Sequence, residues 1–108
     1  MYEPSRHLAT YYIAGYQHWD GALVLNELKP GATLRIAPEP ENPHDPAAVA
    51  IYHEDVKLGY IPSDQNRAVS LMCAYGHAEA FELRILQVDP EAAPWHQVRV
   101  GLYVQDAR

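Results

Sequence analysis

The chain has almost no cysteine: Cys73 stands alone among 108 residues. One thiol excludes an internal disulfide and any zinc finger or ribbon built on Cys-x-x-Cys pairs. Cys73 lies in "AVSLMCAY", a helical stretch, where its default role is a small apolar filler. Basic residues are also scarce. Eight Lys and Arg face fourteen Asp and Glu, a formal charge of -6. The eight are Arg6, Lys29, Arg35, Lys57, Arg67, Arg84, Arg99 and Arg108, and they form no run. Binding along a nucleic-acid backbone rests on several phosphate-neutralising cations, so this scatter argues against it. A pocket that grips one or two phosphates needs only a few donors.

Other absences narrow the field further. No apolar run approaches the roughly 20 residues of a membrane helix. The opening "MYEPSRHLAT" lacks the basic start and apolar core of a signal peptide. The expectation is a cytoplasmic protein with no membrane association. There is no G-x-x-x-x-G-K-[ST], no G-x-S-x-G and no H-E-x-x-H. No catalytic residue and no cofactor is implied, and the chain reads as a non-enzyme. Of the histidines, His18, His44 and His53 stand near acids, but their spacing is irregular. No two lie three or four apart on the predicted helix, so no metal site is expected. The carboxylates Glu39, Glu41 and Asp45 are close in sequence, but on a loop that fixes no separation for acid–base work.

What is present is short apolar segments between turn signals. Residues 9–16, 22–28, 32–39, 47–53, 57–62, 78–89 and 95–105 read as strands, rich in β-branched and aromatic types or alternating. Asp20-Gly21, Lys29-Pro30-Gly31 and Glu54-Asp55 punctuate them. After Pro62 the period changes. Ala68, Val69, Leu71, Met72 and Tyr75 fall at helical spacing, with Ser63 as N-cap and Gly76 at the C-terminal end. The fold class is mainly β: a small OB-like or SH3-like β-barrel of about six to seven strands, with one α-helix inserted near residues 63–75. Residues 1–108 read as one domain, with its core between 8 and 104.

The segment "PEPENPHDPAAVAIY", residues 38–52, is the least ordinary. Four prolines and three acids occupy its first nine positions, and an apolar strand follows at once. Asn42-Pro43 is a turn start, since Asn bonds its own backbone and Pro fixes φ. Asp45 before Pro46 reads as a cap on one helical turn over Pro46-Ala47-Ala48. The bland reading is a rigid corner with a capping Asp.

The same residues carry a resemblance. Glu39-Pro40-Glu41-Asn42-Pro43-His44-Asp45, then Ala48-Val49, then Gly59-Tyr60-Ile61-Pro62 resembles the HIRAN domain. Gly15-Tyr16-Gln17-His18-Trp19-Asp20-Gly21 resembles that family's G-x-x-[YHF]-[YW]-x-G signature. Together these cover roughly residues 10 to 75. The resemblance implies a modified OB-fold barrel that captures the 3′ end of single-stranded DNA, in DNA repair or replication-fork processing. It implies a pocket of Gln17, His18, Trp19, His44, Asp45 and Tyr60. Asp45 would accept a hydrogen bond from the terminal 3′-hydroxyl, the aromatic faces would stack on bases, and Tyr60 would bond a phosphate oxygen. A helicase or nuclease is the protein partner implied. Gln17 stands where DNA-binding members carry Arg, and Pro38 where the family often has Arg. Histidine at 18 and 44 replaces two aromatics and can still stack and donate to phosphate.

Two rival readings stay open. One is a protein-interaction module without DNA binding, using the acidic surface and Trp95. The other is a metal-dependent hydrolase using His44, Asp45 and a further histidine. The residues singled out also have ordinary roles. Tyr11, Tyr12 and Tyr16 commonly pack a strand face, Trp19 can cover the barrel edge, and Arg35 and Arg67 are surface charges by default.

Overall fold

The alternating apolar positions become the inner face of one antiparallel sheet. The computed structural model describes residues 5–105. The first four residues and the last three, Arg108 among them, lie outside the described residues. Six strands follow in chain order: β1 (Ser5–Tyr12), β2 (Thr33–Pro38), β3 (Val49–His53), β4 (Val56–Tyr60), β5 (Phe81–Val88) and β6 (Val98–Gln105). Their spatial order is β1-β6-β5-β2-β3-β4. One helix, α1 (Arg67–Ala74), interrupts them between β4 and β5.

The sheet curls until its two edges meet. β1 and β4 share no strand ladder. They approach through one antiparallel bridge, Ala14 to Tyr60. The Ala14 N–H donates to the Tyr60 carbonyl at 2.8 Å, and the Tyr60 N–H to the Ala14 carbonyl at 2.9 Å. The barrel is therefore joined at a point, not along a seam. Inside it lie Ile13, Val49, Ile51, Leu58, Leu83, Ile85, Val100 and Leu102, each at most 1% exposed. Burial of such side chains is the main stabilising term.

Two expected elements differ. Residues 22–28 are not a strand. Asp20–Glu27 is a 3-10 helix, which lowers the strand count to six among the described residues. The inward positions there are Gly21, Val24, Leu25 and Leu28, spaced three or four apart, while Leu23 is 78% exposed. That is helical periodicity, hidden in a run of four consecutive apolar residues. The helix α1 also starts three residues late, with its N-cap at Asn66 rather than Ser63. Residues 62–65 form a turn, with the Gln65 N–H bonded to the Pro62 carbonyl at 2.9 Å. Asn66 is the N-cap, but its side chain makes no capping bond. The C-terminal end is as expected. Gly76 has φ 85, and the His77 N–H reaches the Met72 carbonyl while the Gly76 N–H reaches that of Cys73. This is a Schellman motif.

Gly59 makes the joining bridge possible. Its φ is +150, a conformation that side-chain-bearing residues rarely adopt. A Cβ there would collide with the Ala14 carbonyl oxygen and come within 2.7 Å of Ile13 Cγ2. Gly59→Ala is therefore expected to cost about 2–4 kcal/mol in chemical denaturation, combining strain with overpacking. Gly76→Ala, where φ is also positive but the space is open, is expected to cost only about 1 kcal/mol. Equal losses at the two positions would contradict the steric account.

Candidate functional site

The proline-rich corner is held by its own side chains. Its prolines remove N–H groups that a tight turn would leave without partners. The remaining amides find acceptors close by. The Asn42 Oδ1 accepts from the His44 N–H at 2.8 Å and the Asp45 N–H at 3.1 Å. The Asp45 Oδ1 accepts from the Ala47 N–H at 2.9 Å, and the Asp45 carbonyl from the Ala48 N–H at 3.0 Å. Asp45 thus caps the turn as its place before Pro46 suggests, but no helix follows; the chain goes directly to β3.

The second Asp45 oxygen is bound from across the fold. The Asn66 Nδ2 donates to Asp45 Oδ2 at 2.9 Å. Asn66 is only 2% exposed, and among the described residues it is the one polar residue in the buried class. The hydrogen bond from Asn66, then that from the Ala47 N–H, holds the Asp45 carboxyl below its ordinary pKa, with the charge of Arg67 adding a smaller effect. Desolvation opposes them and loses. The side chain is thus an anion throughout the neutral range.

Around this carboxylate lies a cleft of about 330 Å³. Its walls include Trp19, His44, Asp45 and Tyr60, together with Asn42, Ile61, Ser63 and Asn66. Four of the six expected pocket residues therefore meet in one place. The other two do not line it. Gln17 and His18 are exposed on the 3-10 turn Tyr16–His18 that leads into Trp19. That turn is anchored by Tyr16, whose ring packs so closely on Gly21 that no Cβ would fit there. The Tyr16 hydroxyl is buried without a partner, and burial pushes its pKa up to about 12.

On the other side of Trp19 and Tyr60 a charged cluster stiffens the wall. Lys57 Nζ lies 2.6 Å from Glu39 Oε2 and 2.7 Å from the Tyr60 hydroxyl. The Tyr60 hydroxyl donates to Glu39 Oε1 at 2.8 Å, and the Asn42 Nδ2 donates to the same oxygen at 3.1 Å. The ammonium also stands 4.1 Å from the centre of the Trp19 ring, a cation–π contact. Trp19 and Tyr60 meet edge to face at 6.0 Å. Tyr60 is thus engaged by Glu39 and Lys57, not waiting for a phosphate. Sequence reading missed Lys57, Glu39 and Asn66 as site residues. Their signal was weak: partners lie 18 and 21 residues apart, with no motif linking them.

A further cluster lies away from this site, where Glu27, His53 and Glu54 bring ligand atoms within 4.8 Å of one another. It includes neither His44 nor Asp45, the residues named in the hydrolase reading. His53 is in an ion-pair contact with Glu27 at 3.5 Å. No helix among the described residues is long and apolar enough to cross a membrane.

The sequence matches the HIRAN domain family over residues 7–105. This chain belongs to the HIRAN domain family. HIRAN domains are known as nucleic-acid-binding modules. Solved structures agree on the fold. A protein from Lactobacillus plantarum superposes with a TM-score of 0.77 at 20% identity, covering 93% of this chain and 94% of that one. The HIRAN domain of human HLTF superposes with a TM-score of 0.62 at 10% identity, covering 95% and 82%. No curated protein matches this sequence.

Two outcomes follow from the geometry. Burial alone would raise the Glu39 carboxyl; the hydrogen bonds from Lys57, Tyr60 and Asn42 and the Lys57 charge reverse this and lower it below 4.5. Desolvation likewise works against charged Lys57, but Glu39 and Tyr60 raise it above 10.5. A lowered acid stabilises the fold above its unfolded pKa; a raised base does so below its own. The pair's contribution is therefore full between pH 4.5 and 10.5. It fades as the pH falls through the folded Glu39 value or rises through the folded Lys57 value. A double-mutant cycle of Glu39→Gln and Lys57→Met at pH 7 is expected to give a coupling of about 1–2 kcal/mol, vanishing in strong acid. A coupling independent of pH would refute the assignment. Asn66→Ala is expected to raise the Asp45 carboxyl pKa toward its ordinary value, read by carbon NMR titration of the side chain. An unmoved titration would show that Asn66 does not hold the carboxylate.

Proposed function

We propose that the cleft receives the 3′-terminal nucleotide of single-stranded DNA, with the terminal hydroxyl donating to Asp45. One observation carries the reading: Asp45 is the only carboxylate among the described residues that line the cleft, and it is fixed as an anion. Each of its oxygens accepts one bond within the protein, and each has a second lone pair. A 3′-hydroxyl supplies the missing donor. A 3′-phosphate supplies only more negative charge and is rejected. Trp19, 40% exposed, and His44 offer ring faces for stacking without base preference. In this reading Gln17 and His18, exposed on the turn that leads into Trp19, contact the phosphate that precedes the last nucleoside.

The domain in this reading is a binder with no chemistry of its own. It acts in the cytoplasm at DNA ends, in repair or replication-fork processing. A helicase or nuclease partner supplies the activity that it targets.

Fluorescence anisotropy with short oligonucleotides tests this. The 3′-hydroxyl strand is expected to bind at least about tenfold more tightly than the 3′-phosphate strand, a difference of ~1.4 kcal/mol. Asp45→Ala should erase that preference. Trp19→Ala should weaken both strands by roughly 5- to 150-fold, the range for one lost stacking contact. Because Asp45 is held below 3.8, it stays ionised down to about pH 5, so the preference should be full at neutral pH and narrow only as the 3′-phosphate takes up its own proton at about pH 6. Equal binding of the two ends by the unaltered protein would sink the proposal.

A further inference from the structure

The outer face of β1 and β6 carries a second group of exposed rings beside a cation. Tyr12 and Arg99 are directly opposite each other in the β1–β6 ladder, so their side chains share one face of the sheet. Tyr12 is 40% exposed, which makes that face the outer one. The His96 ring stacks at a tilt on Tyr12, with centroids 4.6 Å apart. Trp95, beside it on the 3-10 turn Pro94–His96, is 54% exposed. These rings are not needed for the core, which lies on the other side of the strands.

Arg99 is unusual among the cations. Its Nε is buried and has no hydrogen-bond partner. Among the described residues it takes part in no ion pair, whereas Lys57 and Arg84 are paired with Glu39 and Glu82. That atom is closed to a ligand, but the residue is only half-buried, so the terminal nitrogens are the part of the guanidinium that a ligand can reach. In a chain of charge -6, a carboxylate would have been the easy partner, and none has been placed there.

The patch is continuous with the cleft. The turn Pro94–His96 lies against the turn Tyr16–His18, and the latter runs through His18 directly into Trp19. A strand leaving the cleft along this turn would come first to His18, then to His96 and Tyr12, with Arg99 beside them. Exposed rings beside a guanidinium offer the two kinds of contact that the bases and phosphates of a single strand take.

We propose that this patch is a track for the nucleotides on the 5′ side of the captured end. Bases stack on Trp95 and on the Tyr12–His96 pair, and a backbone phosphate pairs with the accessible end of the Arg99 guanidinium. The proposal deepens the end-capture reading and rests on it for the strand's direction.

The test is anisotropy on 3′-hydroxyl oligothymidylates of two, six and twelve nucleotides, each compared with its 3′-phosphate form, at several salt concentrations. Affinity should rise at least about tenfold from the dinucleotide to the dodecamer. Trp95→Ala and Arg99→Ala should each remove most of that rise and leave dinucleotide binding unchanged. Arg99→Ala should also lower the salt slope for the dodecamer by about one phosphate contact, roughly 0.7 in log–log units. Arg99→Lys, which keeps the charge, should restore most of the slope and guards against a folding defect. Affinity that does not grow with length overturns the track, as do variants that weaken all lengths equally or none. End preference without length dependence would leave the end-capture reading standing alone. Length dependence without end preference would do the reverse.

Discussion

Two hydrogen bonds between Ala14 and Tyr60 decide where everything in the candidate site can be. They join the free edges of a six-stranded sheet at one point. On one side of that point the chain turns through Gly15 into Trp19; on the other it ends β4 at Tyr60 and enters the turn before α1. The rings of Trp19 and Tyr60 meet because their backbones are tied together beneath them. Gly59 is the residue that lets the tie form, since any Cβ there would strike the Ala14 carbonyl. The glycine in Gly59-Tyr60-Ile61-Pro62 thus serves barrel geometry first and the cleft only through it.

The proline-rich corner meets this junction as a preformed piece. Asn42 and Asp45 satisfy their own neighbours' amides, so the turn needs little from the rest of the fold to keep its shape. Its two links outward are specific. Glu39 is bound by Lys57 and Tyr60 of β4, and Asp45 is bound by Asn66 at the start of α1. The corner is therefore pinned to strand and helix at once, which aims the Asp45 carboxylate into the cleft. Stiffness matters here for a thermodynamic reason. A carboxylate already oriented and already ionised loses little freedom when a ligand hydroxyl arrives.

The strands were legible because half-buried strands write their burial every second residue, as Leu83 and Ile85 or Val98, Val100 and Leu102 do. The 22–28 segment was not, because four consecutive apolar residues carry no period of their own. The adjacent Val24 and Leu25, both turned inward with Gly21 and Leu28, mark the 3-10 helix, since a strand would send neighbours to opposite faces. The start of α1 was misplaced for a related reason. Ser63 is a good cap by type, but the corner claims Asn66, and the helix begins after it. Trp19, His44, Asp45 and Tyr60 were legible as a group from their motifs. Lys57 was not, because its partners are chosen by tertiary distance: a lysine on a hairpin strand looks solvent-facing until Glu39 and Trp19 are seen beside it.

That lysine also constrains how an acidic chain can hold a polyanion. Lys57 touches the cleft wall through Tyr60 and Trp19, but Glu39 neutralises it at 2.6 Å and fixes it under Trp19. Its charge orders the wall and has little left over for a phosphate. The cleft itself then presents a single negative charge, that of Asp45. Such a site can select a hydroxyl end, but it cannot attract a strand electrostatically; over short distances it repels one. Selection and attraction must therefore be served by different residues. Arg99, in no ion pair and flanked by exposed rings, is the cation that the adjoining face offers. In the proposed reading, end preference rests on Asp45 and the length-dependent part of the affinity on the outer face, so those two can vary independently.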